Sequence, residues 1–126
     1  MRPGTLAEVS QLTSSGDAFD RCLASFLDEF YAEPDAKALA DAPTLLAPEF
    51  GQLGQVQDAY LAATAEQLAS DHHWSVPAWT TADARTLHRP WFASPLAALR
   101  AALLLESPAA FRARNLFVSQ NALTRA

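Results

Sequence analysis

The stretch FDRCLASFLDEF, residues 19–30, places Phe19, Leu23, Phe26, Leu27 and Phe30 at i, i+4, i+7, i+8 and i+11. That spacing is one face of a 3.6-residue period and predicts an amphipathic helix. Asp20, Arg21, Asp28 and Glu29 fall off the face, so the three Phe read as core and the carboxylates as solvated. Upstream, Thr5-Leu-Ala-Glu8 has capping-box spacing and opens a first helix along Leu6, Val9 and Leu12 or Thr13. Ser14-Ser15-Gly16 ends it, and Asp17 is placed to cap the helix that follows. Downstream, Pro34 suits the first turn of a short third helix that Pro43 closes. The span 42–54, with two Pro and two Gly, reads as a loop whose Leu45, Leu46 and Phe50 fold back on the core. From Val56 to Ser70 two apolar stripes predict a helix covered on more than one side.

Composition agrees with helices. Of 126 residues half are apolar, with 27 Ala and 18 Leu against four Val and no Ile. Ala and Leu favour helix, while the β-branched residues that favour strands are scarce. The length suits one domain, residues 1–126. A single Cys22 excludes a disulfide framework and agrees with a reducing cytoplasm. No apolar run is long enough to span a membrane, and residues 1–15 lack a signal-peptide pattern.

Residues 71–93 change the regime. Pro77 and Pro90 interrupt helix, and Trp74, Trp79, Trp91 and Phe92 replace leucine. An irregular segment this long is expected to pack over the helical core with its aromatics as anchors. Ser94-Pro95 then signals a helix along Leu96, Leu99 and Leu103, with Ala97, Ala98, Ala101 and Ala102 for close packing. Ser107-Pro108 signals a short one bearing Phe111. Leu116 to Val118 reads as extended, and Ser119 caps a last turn, residues 120–126. The expectation is an all-α domain of five or six helices with the Pro/Trp-rich segment packed over it.

The net charge of −5 divides unevenly. Residues 1–71 hold 12 acidic and 3 basic groups, a balance of −9, and residues 72–126 hold 2 acidic and 6 basic groups, a balance of +4. Two readings stay open: the halves attract within one fold, or one face steers a partner. Trp79, Trp91 and Phe92 are candidate partner anchors, with Arg112, Arg114 and Asn115 beside them and Asp28 and Glu29 on the acidic side.

Catalytic and cofactor patterns are weak. His72, His73, His88 and Cys22 lack metal-ligand spacing, so no metal is expected. There is no G-x-S-x-G elbow and no phosphate-cradling glycine loop, so no cofactor and no enzyme are expected. A small enzyme would need Arg112, Arg114, His88 and a carboxylate to converge. Arg112, Arg114 and Arg125 carry groups suited to phosphate, but an acidic chain argues against direct DNA binding.

FLDEFY (residues 26–31), YLAA (residues 60–63) and the ending ESPAAFRARNLFVS (residues 106–119) with NALTRA (residues 121–126) carry a resemblance. The chain resembles a group of small bacterial proteins, often labelled helix-turn-helix or regulator-like, encoded beside nucleotidyltransferase-like genes. That arrangement resembles a toxin–antitoxin operon. The resemblance implies a cytoplasmic, antitoxin-like protein that neutralises a nucleotidyltransferase-type toxin by direct contact. A transcriptional regulator that binds DNA, alone or with its partner, is the alternative.

Overall fold

A computed structural model describes residues 2–94 and 97–125. Pro95, Leu96 and Ala126 lie outside them, as do the side chains of Ala97 and Ala98, and so does the expected start of the helix at Ser94-Pro95. The chain is mostly helical. Among the described residues there are seven α-helices: α1 (Leu6–Ser14), α2 (Phe19–Ala32), α3 (Lys37–Ala40), α4 (Ala47–Phe50), α5 (Gln52–Asp71), α6 (Ala97–Glu106) and α7 (Ala109–Arg112). Two 3₁₀ turns, Ala78–Thr81 and Asp83–Arg85, occupy the Pro/Trp-rich segment. Strands β1 (Trp91–Phe92) and β2 (Leu116–Phe117) pair in parallel, with Trp91 opposite Leu116 and Phe92 opposite Phe117.

The capping signal at α1 is realised, as Thr5 Oγ1 accepts from the Glu8 amide at 3.1 Å. Gly16, at φ +112°, lets the chain reverse so that the Gly16 and Asp17 amides reach the Thr13 and Leu12 carbonyls. Asp17 does not cap α2; the cap position is Ala18, without a side-chain bond. Burial of the phenylalanine face holds that helix instead, with Phe26 and Phe30 stacked at 5.8 Å. Nor does Pro34 open the third helix. Asp35 Oδ1 accepts from the Lys37 amide at 3.0 Å, so α3 starts three residues later.

The span expected as loop contains α4, and a tertiary contact explains it. The buried Asp58 carboxylate of α5 accepts from the Leu46 amide at 2.7 Å and the Ala47 amide at 3.0 Å. Those are orphan donors of a helix start, here satisfied from a neighbouring element. Leu46 is fully buried as expected, but Leu45 and Phe50 are exposed. The chain crosses α5 at Gly54, where a Cβ would collide with the Leu46 carbonyl.

α5 is the axis of the molecule. Ala59, Leu61, Ala62, Ala63, Ala65, Leu68 and Ala69 are buried along it, and α4, α7 and both 3₁₀ turns pack against it. α6 is the opposite. It meets β2, buries Leu103, and leaves Leu99, Ala101, Ala102, Leu104 and Leu105 exposed. Leu99 is therefore not buried with Leu103 as expected. Leu99 and Leu103 share one side of the helix, so the seat is short along its axis and covers the Leu103 turn only; Leu104 and Leu105 point away from it.

Candidate functional site

An open cleft of about 630 Å³ lies between α2, α5, β1 and the C-terminal segment. Leu23 and Leu27 of α2 form one wall, Val56, Gln57 and Tyr60 of α5 another, and Val118 and Ala122 a third. Leu53, Val56 and Trp91 are shared with an adjoining hollow of about 480 Å³ whose lining includes Gln52, Leu87, His88 and Arg89. The α2 wall exists because successive turns of an amphipathic helix present residues three and four apart on one side.

Polar groups interrupt this apolar lining at few points. Gln57 is buried, and its Oε1 has no hydrogen-bond partner. Three residues on, Tyr60 sits between Phe19 and Phe111 in edge-to-face contacts at 6.2 and 5.0 Å. Burial, with the Asp20 carboxylate adding to it, pushes the Tyr60 phenol up to about 12. It therefore keeps its proton at neutral pH and remains a donor. Asp20 lines the same cleft and forms no ion pair among the described residues. Arg125 lies at the edge, where it grips Asp28 at 2.9 Å and holds that carboxyl below the usual carboxylate range.

The structure places the sequence-picked residues in several different settings. Trp91 is 36% exposed and lines the cleft. Phe92 stacks on Phe117 at 5.0 Å beneath the Arg100 guanidinium. Asn115 joins them, accepting from the Trp91 amide through its carbonyl and donating from its side chain to the Leu87 carbonyl at 2.7 Å. Its φ of +63° is one that Asn tolerates better than most residues. Trp79 belongs elsewhere: its indole donates to the Leu39 carbonyl at 3.0 Å and lies under the Arg85 guanidinium.

Arg112 is exposed, whereas Arg114 is buried and engaged. Arg114 pairs with Glu66 at 2.8 Å and donates to the Ala110 and Thr80 carbonyls. Asp28 and Glu29 carry surface pairs with Arg125 and Arg2. His88 lines the smaller hollow, which neither Arg112 nor Arg114 reaches.

The residues not singled out from sequence are Gln57, Asp58 and Arg85. Arg85 is buried, donates to the Asp58 and Pro43 carbonyls, and has its guanidinium 3.8 Å from the Asp58 carboxylate. Burial pushes the Asp58 carboxyl up, against the pull of two backbone amides and Arg85. Nothing in the local pattern marked them, since Gln55, Thr64, Glu66 and Gln67 make Gln57 and Asp58 two polar residues among several in the same helix.

Among the described residues no three His, Cys, Asp or Glu side chains gather to hold a metal, and no helix is long and apolar enough to cross a membrane. No protein-family model, no curated protein and no solved structure matches the chain.

Proposed function

We infer that this chain is a non-enzymatic, antitoxin-like binding protein that neutralises a nucleotidyltransferase-type partner in the bacterial cytoplasm by direct contact. The supporting observation is large apolar side chains left exposed, some beside charged groups. Leu53, 61% exposed, and Trp91 line one hollow with His88 and Arg89, and Leu105 on α6 is 84% exposed. An aromatic anchor ringed by polar side chains is the arrangement that concentrates binding energy in protein interfaces. In this reading the Pro/Trp-rich segment covers α5 and presents Trp91 and Phe92. Arg112 and Asn115 contribute on the same half. Asp28, Glu29 and Asp20 complement the basic rim of a pocket built to hold a triphosphate. Arg114 and Trp79 act indirectly, by fixing the segment that carries the contact residues.

Co-expression with the product of the neighbouring gene tests this. The expected result is restored growth and a co-purifying complex, with Trp91→Ala weakening it by roughly 30-fold or more, as for a hot-spot residue. Growth arrest that persists without any complex overturns the reading.

A further inference from the structure

We propose that the surface centred on Leu53 joins two copies of this chain across a two-fold axis. The inference concerns the chain alone and does not rest on the partner reading. Leu53 lines both the hollow of about 480 Å³ and another of about 430 Å³ between the α1–α2 turn and α4. These two hollows are opposite in charge. Among the described residues the first is lined by His88 and Arg89 and no carboxylate, the second by Asp17 and Glu49 and no base. All four side chains are exposed, and none forms an ion pair among the described residues. Phe50 lines the acidic hollow and Trp91 the basic one, and with Leu53 they are 37%, 36% and 61% exposed.

An apolar centre with opposite charges at its two ends is self-complementary. A two-fold axis lying in that surface sets the acidic end of one copy against the basic end of the other, apolar centre on apolar centre. Each charge contact then occurs twice. A second copy is the occupant whose matching charges are already on the page of this surface, in the right order. Trp91 belongs to this interface and to the proposed partner contact, so the two unions exclude one another.

Sedimentation equilibrium of the full chain, from about 1 μM to about 1 mM, tests this. A monomer–dimer equilibrium with a Kd on the order of tens of micromolar is expected. Leu53→Asp should weaken it about 30-fold or more, because each dimer would then desolvate two unpaired carboxylates. Arg89→Glu should weaken it about 10-fold by setting like charges together, and Asp17→Lys with Glu49→Lys should do the same. Combining all three changes reverses both ends at once and should return the Kd to within about 3-fold of the parent. That rescue is specific to the two-fold register and cannot come from a misfolded variant. Leu105→Gln, on α6, should leave the Kd unchanged. The proposal is overturned by a chain that stays monomeric throughout, by a dimer indifferent to Leu53→Asp, or by a charge swap that fails to restore association. A dimer lost in Leu105→Gln would place the contact on α6 and overturns it as well.

Discussion

α5 and α6 invert the usual relation between composition and burial. α6 contains Leu99, Leu103, Leu104 and Leu105, yet of these only Leu103 is buried. α5 contains Gln57, Asp58 and Thr64 among its buried residues and is covered on several sides between Gly54 and Ala69, while Leu53 at its start is exposed. The difference lies in side-chain size and in partners. Gly54 and the five buried alanines of α5 let other segments approach its backbone closely, and a helix approached from several sides must bury whatever those sides carry. Asp58 is tolerated there because two amides and Arg85 surround it. Among the described residues α6 packs chiefly against β2, and its other leucines stay exposed. Burial follows from how many neighbours an element has, and hydrophobicity sets only the cost of the outcome.

Breaking the Asp58 cluster should have the largest effect. Asp58→Ala leaves Arg85 as an uncompensated buried charge and orphans the Leu46 and Ala47 amides. A loss of about 3–5 kcal/mol is expected in urea unfolding, by analogy with buried ion pairs that lose one partner. Gly54→Ala comes next, since the added methyl meets the Leu46 carbonyl and forces α4 away from α5. The expected cost is about 1–3 kcal/mol, typical of overpacking, although alanine is the better helix former.

Tyr60 offers a test through pH. Its phenol titrates at about 12 in the folded chain against 10 when unfolded, so between those values the folded state holds a proton that the unfolded state has released. Stability is therefore present in full below pH 10 and falls as pH rises through 12. Tyr60→Phe should flatten that decline in urea midpoints measured across the interval. The smallest effect belongs to α6. Leu105→Gln should leave stability within about 0.5 kcal/mol of the parent, as for an exposed substitution. A loss comparable to that of Gly54→Ala would mean that α6 has a buried seat after all, and the contrast with α5 would fail.

The charge division acquires a meaning from the same comparison. Of the four ion pairs among the described residues, Arg85–Asp58, Arg114–Glu66 and Arg125–Asp28 join the basic half to the acidic one. Two of them land on α5. The attraction between halves is thus built into the fold, and the exposed Arg89, Arg100 and Arg112 remain for other contacts.

Local pattern was sufficient for α1, for α2 and its phenylalanine face, for the multiple covering of α5 and for the short helix bearing Phe111. Each depends on residues within a turn or two of one another, so the spacing of apolar side chains and a Thr5 cap specify them. α4 was illegible because its cap comes from Asp58, twelve residues from Leu46 and on another helix. β1 was illegible because two residues acquire strand geometry only when β2 is brought alongside. The cleft was half legible: Trp91 stood out by type, but its walls come together only in the fold.

Sequence by itself determined that this chain is helical, which face of α2 is core and where the charge changes sign, since period, propensity and charge are local properties. Tertiary structure alone decided which arginines are spent inside, why α4 exists, which leucines stay wet and where the cleft opens. Those outcomes depend on which distant segments share a neighbour, and the packing around α5 settles that.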